Sequence, residues 1–354
     1  MRLYFLFTTL NIWKQINRPI VGLAPMDGVT DVVFRQIIDR HSKPSVLYTE
    51  FVPVEAIKAG AYRVLQAFMQ HKTDTPTIAQ LYGTDLEAYY LSTLVVCELG
   101  FDGVDINMGC PAKSVESRGA GAGLIKNPNL ALKIIQTVRK ATNDYLNGSY
   151  KSTLIKDTIR NKVSEIRRID KKIDMSPIPV SLKTRTGIEK DEVDMWISII
   201  ASAMPDCITL HGRTLRQMYR GVSDWDAIKR ANDIVKKVNP EICFLGNGDV
   251  ESYYDALSRS KELELDGVLV GHATLGNPFF FNEREMYKSK AGIIDVMIEH
   301  GKLYEDTYSN GHFLSLRKHM LWYSDRNPEL KEMKKELQTI NSLTDLKDVL
   351  SKAG

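Results

Sequence analysis

Along this chain, short apolar runs alternate with longer stretches of helical periodicity. The runs are Ile20–Ala24, Val46–Thr49, Thr77–Leu81, Gly103–Ile106, Ile178–Leu182, Cys207–Leu210, Ile242–Leu245 and Gly267–Val270. Each has the length of a strand. Most are apolar on both faces, as a parallel sheet covered by helices requires. Helical patterns fill most of the gaps, at Asp85–Leu99, Pro128–Lys140, Glu192–Ala203 and Trp225–Val238. Asp85 and Asp224 stand where N-caps belong, and Pro128 suits a first helical turn. Eight strands alternating with helices predict an α/β fold, a closed parallel (β/α)8 TIM barrel. A doubly wound open sheet competes with it. However, the first strand leads into Ala24-Pro25-Met26-Asp27-Gly28 rather than a Gly-rich dinucleotide turn.

The same pattern divides the chain into an N-terminal extension (1–18), a barrel (19–282) and a small C-terminal helical domain (283–354). The barrel carries a basic insert at about 142–175. Between Val138 and Ile173 there are ten Lys or Arg against four Asp or Glu. Ile155, Ile159, Val163, Ile166 and Ile173 recur at near-helical spacing, which predicts an amphipathic helix. A helix-to-strand connection lies on the bottom of a barrel, away from the chemistry. The insert is therefore read as a solvated packing helix, with a nucleic-acid contact as the alternative. Residues 283–354 are rich in helix formers and hold twelve basic and twelve acidic side chains, so they are not a basic tail. Arg317-Lys318-His319 there is either a phosphate-contacting cluster or an ordinary solvated helix face. The apolar stretch Met1–Phe7 is too short to span a membrane and has no small-residue cleavage site. It is either an extra strand or the product of a misplaced start codon.

Polar residues collect where the strands end. In Gly103–Pro111, Val104 and Ile106 point one way and Asp105 and Asn107 the other. Gly109 and Pro111 then stop the ladder, leaving Cys110 at the C-terminal tip. A buried structural cysteine is the competing reading; the Gly-rich run Arg118–Gly123 behind it favours an accessible thiol. The remaining tips carry Gln80, Lys183 with Arg185, His211 with Arg213, Asn247 with Asp249, and His272. Barrels concentrate function at that face. Gly246-Asn247-Gly248-Asp249 after the seventh strand and Gly271-His272 after the eighth suit a phosphorylated cofactor gripped by backbone N–H groups. Lys183 is placed to face the electron-rich end of a redox ring, unless it is salt-bridged in the mouth. His211 could donate to the same ring, and Gln80 and Asn107 match the edge of an amide-like heterocycle.

Composition narrows the setting. Hydrophobic content of 43% and charged content of 26% are those of a soluble globular protein. A net charge of +3 makes any nucleic-acid footprint local. The four cysteines contain no Cys-x-x-Cys pair, so neither zinc nor a disulfide framework is indicated. Cys97, Cys207 and Cys243 read as core, and a reducing cytoplasm is the simplest compartment. No metal, no membrane association and a monomeric state are expected. Asn147-Gly148-Ser149 is a chance sequon in such a chain.

Six motifs in order and at barrel spacing resemble the tRNA-dihydrouridine synthase family. They are Ala24-Pro25-Met26 followed by Val29-Thr30-Asp31, Asn107-Met108-Gly109-Cys110-Pro111, Lys183-Thr184-Arg185, His211-Gly212-Arg213, Gly246-Asn247-Gly248-Asp249 and Leu275-Gly276-Asn277-Pro278. The resemblance runs from about Pro19 to Phe281. It implies an FMN-dependent enzyme that reduces the C5–C6 double bond of particular tRNA uridines, with NADPH (or NADH) restoring the reduced flavin. It further implies that Pro25 and Met26 line the flavin, that Gln80 and Lys183 contact its ring, and that His211 lies beside it. Asn247, Gly248, Asp249, Gly271 and His272 match the phosphate-binding loops, and Cys110 matches the catalytic acid. Where the family commonly has Gly-Arg after the eighth strand, this chain has Gly271-His272, which would make phosphate binding depend on pH. Arg185 and Arg213 are expected on the rim as contacts to RNA phosphates, and Arg216 and Arg220 either join them there or are simply solvated. Two other readings stay open: a flavin reductase of a free pyrimidine, and a non-catalytic tRNA-binding barrel.

Overall fold

Eight parallel strands form one sheet in the computed structural model, which describes residues 11–167, 178–282, 289–308 and 313–352. They are β1 (Ile20–Leu23), β2 (Leu47–Pro53), β3 (Thr77–Tyr82), β4 (Gly103–Met108), β5 (Val180–Arg185), β6 (Cys207–His211), β7 (Cys243–Asn247) and β8 (Gly267–Val270). The order is β1-β8-β7-β6-β5-β4-β3-β2. Ser45 N–H donates to the Val21 carbonyl and Leu23 N–H to that of Val46, both at 2.9 Å, which brings the two ends of the sheet together. The predicted (β/α)8 barrel is thus formed. Several strands run past their apolar stretch, β2 to Pro53, β4 to Met108 and β5 to Arg185, because polar residues keep pairing inside the mouth.

Asp85 caps its helix by accepting from Ala88 N–H at 2.9 Å, and Asp224 does the same with Ala227 N–H at 2.8 Å. Pro128 opens the helix Pro128–Leu146, which runs past the predicted end at Lys140. Among the described residues, helices outside the predicted set include Val32–Ser42, Val54–Ala59 and Tyr253–Glu262. The first buries Val33, Phe34, Ile37 and Ile38 at helical spacing, with Arg35 also buried among them, and the second has only six residues.

The bottom of the barrel is closed from the N-terminal side. The single turn Ile12–Gln15 places Trp13, 1% exposed, in one cluster with Ile20, Tyr48, Cys207 and Cys243. Asn11 Nδ2 donates to Asp206 Oδ1 at 2.9 Å, and Arg18 pairs with Asp266. The apolar stretch 1–7 lies outside the described residues. In the basic insert, the helix Asp157–Ile166 turns Ile159 and Val163 inward, and Ile155 is buried just before it. Lys156 Nζ donates to the Ala59 carbonyl at 3.0 Å and Thr158 Oγ1 to that of Gly60 at 3.0 Å. Those carbonyls end the helix Val54–Ala59 that follows β2, so the insert packs on the outside of the barrel against that segment. Ile173 and residues 168–177 lie outside the described residues.

Helices Lys290–Thr307, Leu314–Arg326 and Leu343–Ser351 share a second core. Met297, Leu316, Met320, Tyr323 and Leu346 pack there against Val32, Val33 and Ile37 of the first barrel helix. Arg317-Lys318-His319 is not a phosphate-contacting cluster, nor is it one solvated face. Successive helical residues point about 100° apart. Arg317 accordingly donates to the Ile340 carbonyl at 2.9 Å and Asn341 Oδ1 at 2.6 Å, and Lys318 to the Gly28 carbonyl, while His319 is buried. Among the described residues no helix is long and apolar enough to cross a membrane.

Candidate active site

A cavity of about 540 Å3 opens at the strand tips. Pro25, Met26, Gln80, Asn107, Cys110, Lys183, Arg185, His211, Arg213, Asn247, Gly248, Asp249, Gly271 and His272 all line it. The fold thus gathers every candidate side chain from seven strand ends into one chamber. Phe51, Tyr219 and Trp322 line it as well.

The Cys110 turn is anchored from inside the barrel. Asn107 Oδ1 accepts from Gly109 N–H at 3.0 Å and from Cys110 N–H at 2.8 Å. Asn107 Nδ2 donates to Gln80 Oε1 at 3.0 Å, and Gln80 Nε2 donates to Asp105 Oδ2 at 2.7 Å. The two amides expected to read a heterocycle edge are therefore engaged with each other. Arg185 Nε holds the Gly109 carbonyl from the other side at 2.8 Å. The Gly-rich run passes close behind the thiol: Gly121 has φ +57°, and a Cβ there would lie 3.0 Å from the Cys110 carbonyl oxygen. No other residue fits that place. Cys110 is 9% exposed, with Val115, Ala120, Phe51 and Tyr82 around it. Burial raises its pKa above the ordinary thiol value, outweighing the Ala112 N–H and the charges of Arg185 and Lys183, which act the other way. Its sulfur is a protonated thiol at neutral pH. Cys97, Cys207 and Cys243 are buried in the core and line no part of the chamber.

Lys183 has no hydrogen-bonded or ion-pair partner among the described residues. Burial, with Arg185 nearby, brings its pKa down to about 7, against the pull of Asp105 and Cys110. His211 is held well below its ordinary pKa, first by burial and then by Lys183, Arg185 and Arg213, and its buried Nδ1 finds no acceptor or donor. Beside the His211 ring, whose Cε1 would lie 3.3 Å from a Cβ at Gly248, Gly248 (φ +118°) and Asp249 (φ +50°) form a left-handed turn. Among the described residues, the backbone N–H groups of Gly248, Asp249, Gly271 and His272 donate to no protein acceptor. Asn247 Nδ2 ties the turn to the Leu269 carbonyl at 2.8 Å. His272 is exposed and meets the Tyr219 ring at 5.3 Å; partial burial and Arg213 lower its pKa, so it is neutral at pH 7. Unused N–H groups, a lysine with no protein partner among the described residues and an imidazole with an unpartnered Nδ1 fit a phosphorylated ring compound.

The two arginines expected on the rim are buried instead. Arg185, 4% exposed, donates through Nη1 to the carbonyls of Thr214 and Met218 at 3.1 and 3.2 Å. Arg213, 6% exposed, donates to the Gly221 carbonyl at 2.6 Å and pairs with Asp249 at 2.7 Å. Together they wrap the loop between β6 and the next helix, because a guanidinium with five donors can satisfy several loop carbonyls at once. Arg216 and Arg220 are the exposed ones, and Arg216 pairs with Glu189 at 2.6 Å.

Sequence reasoning left out Asp105, Tyr219 and Trp322. For Asp105 the signal was present: a carboxylate at an inward-facing strand position. Trp322 arrives from a helix more than two hundred residues after Cys110, and no local pattern reveals that. The docking of that helix explains Gly276 (φ +68°), where a Cβ would lie 2.2 Å from the Trp322 carbonyl oxygen.

Comparison with known proteins completes the description. The family model for Dihydrouridine synthase (Dus) matches residues 22–172 and 152–353. A "Probable tRNA-dihydrouridine synthase" of Staphylococcus aureus (strain COL) is 26% identical over 345 residues, covering 96% of this chain and 94% of the relative. A "Probable tRNA-dihydrouridine synthase 2" of Bacillus subtilis (strain 168) is 28% identical over 301 residues, covering 84% and 82%.

Proposed function

This chain belongs to the dihydrouridine synthase family, and from that premise we propose that it is an oxidoreductase acting on tRNA, reducing the C5–C6 double bond of uridines. The observation that carries the reading is a single thiol in a single chamber. Cys110 is the cysteine that lines the cavity, and the Asn107 amide fixes its turn. FMN is the cofactor the donor set suits. Pro25, Met26, Lys183 and His211 would hold its ring, and the N–H groups of Gly248, Asp249, Gly271 and His272 its phosphate. When bound and reduced by NADPH or NADH, FMN supplies a hydride to one carbon of the base.

The chain's own residues supply the rest. The uracil ring must leave its stack to enter the chamber, at a cost of about a few kcal/mol. The Cys110 S–H then breaks and its proton goes to the neighbouring ring carbon. Burial keeps that proton on sulfur beforehand, so the acid is ready at neutral pH. The thiolate left behind is stabilised by the charges of Lys183 and Arg185 and regains a proton from water at the mouth. The helix Leu314–Arg326, which brings Trp322 to the rim, favours a large nucleic-acid substrate over a free pyrimidine.

Cys110→Ala tests the assignment. The variant is expected to keep bound flavin and NADPH oxidation and to lose most dihydrouridine formation in tRNA, read by nucleoside mass spectrometry. Dihydrouridine at the wild-type rate would remove Cys110 from the reaction. Turnover of free uracil at rates matching tRNA would instead support a pyrimidine reductase.

A further inference from the structure

We propose that Asp105 is a positioning residue for the Cys110 thiol, acting through the side chains of Gln80 and Asn107. Hydrogen-bond polarity carries the argument. Backbone N–H groups can only donate, so the Asn107 atom facing Gly109 N and Cys110 N is its oxygen. The Asn107 nitrogen must then face Gln80, whose oxygen accepts at 3.0 Å. The Gln80 nitrogen is left pointing at Asp105 Oδ2, 2.7 Å away, and it needs an acceptor. Asp105 is fully buried and takes its other hydrogen bond from Ser181 Oγ at 2.7 Å. Burial raises its pKa to about 6, against the Ser181 and Gln80 donors, so at neutral pH it is a carboxylate and can only accept. Read from either end, the chain of amides has one allowed orientation.

Remove the acceptor at position 105 and that uniqueness goes. Gln80 can flip its amide and present nitrogen to Asn107. If Asn107 flips as well, the Cys110 turn loses the oxygen that holds two N–H groups; if it does not, Asn107 loses its anchor on Gln80 and that oxygen is no longer held in place. A buried carboxylate is costly to keep, and an apolar side chain at the base of β4 would pack at lower cost. Its retention here sets the direction of the amide chain.

The inference rests on Cys110 as the proton donor, and its test has an arm independent of that. Asp105→Leu removes the acceptor, while Asp105→Asn keeps an acceptor oxygen for Gln80 and removes only the charge. The first readout is alkylation of Cys110 by iodoacetamide in the folded protein without substrate, located by peptide mass spectrometry. Asp105→Leu is expected to raise that rate on the order of tenfold, the loss expected for a buried hydrogen-bonded restraint. Asp105→Asn should stay within about twofold of wild type. The second readout is dihydrouridine formation. Asp105→Leu should lower kcat by a similar factor, with KM for tRNA and the rate of flavin reduction by NADPH unchanged. Should Asp105→Leu fail to fold, Gln80→Met poses the same question one link along. Wild-type alkylation in Asp105→Leu, or equal impairment in Asp105→Asn, would overturn the proposal. If Cys110→Ala kept full activity, the acid assignment would fall while the alkylation arm still read the Asp105 link.

Discussion

The C-terminal core holds two histidines that acid should turn against the fold. His300 and His319 lie with ring centroids 4.9 Å apart, and Phe34 and Trp322 flank His319 at 5.1 and 5.0 Å. Neither nitrogen of His319 has a partner, and His300 reaches only the Tyr323 hydroxyl, 3.2 Å from Nδ1. Burial pushes His300 down to about 3 and His319 well below the ordinary imidazole value. In the unfolded chain both take up a proton near pH 6.5, whereas in the fold both stay neutral. Below pH 6.5 the unfolded state therefore binds more protons, and stability falls as pH falls. At pH 5 His300 accounts for about 2 kcal/mol of that loss relative to pH 7.5, and His319 adds to it in the same direction. His300→Leu should cut the difference between the two pH values by about 2 kcal/mol, and the double variant with His319→Leu by more. The assay is urea unfolding at pH 7.5 and 5.0, followed by hydrogen exchange in the helix Leu314–Arg326. An unchanged pH dependence in the double variant would refute the reasoning, because other groups would then have to carry the proton uptake.

Two further outcomes follow from the mouth of the barrel. Arg185→Met strips donors from the carbonyls of Gly109, Thr214 and Met218. At about 1–3 kcal/mol for each buried group left unpaired, offset by removal of a desolvated charge, a net loss of roughly 2–4 kcal/mol in urea unfolding is expected. Arg185→Lys should recover only part of it, since one ammonium cannot span all three carbonyls; full recovery would show that charge alone matters. His272, with its pKa lowered, is neutral at pH 7.5 and gains charge as pH falls, so a phosphate nearby binds better in mild acid. Between pH 7.5 and 6, FMN affinity measured by fluorescence titration should improve relative to His272→Gln, and parallel curves would count against a phosphate role.

The barrel was legible because strand and helix periods differ and each strand keeps its apolar run in one block. Ile20–Leu23 and Gly267–Val270 were found nearly to the residue. The site was legible as a set of strand tips, since topology alone carries Gln80, Cys110, Lys183, His211 and His272 to one end. What each polar group does there was less legible. Arg185 and Arg213 look like free cations in sequence, but their partners are carbonyls of the loop at 214–221, and carbonyls have no sequence signature. Arg317, Lys318 and His319 are adjacent in sequence, yet the helix turns each toward a different neighbour. Asp105 hid in plain view because a lone inward carboxylate gains meaning only from the amides on neighbouring strands.

The helix Val32–Ser42 is a party wall. Phe34 and Ile38 on one flank belong to the barrel core, while Val32, Val33 and Ile37 on the other are covered by the C-terminal helices. Lys318 and Arg326 pin the same partition to the loops at Gly28, Ala273 and Leu275. Barrel and outer helices therefore cannot be inherited apart. A chimera that takes residues beyond 289 from a relative must take this wall with them, or it will leave bare apolar side chains on the flank of the barrel.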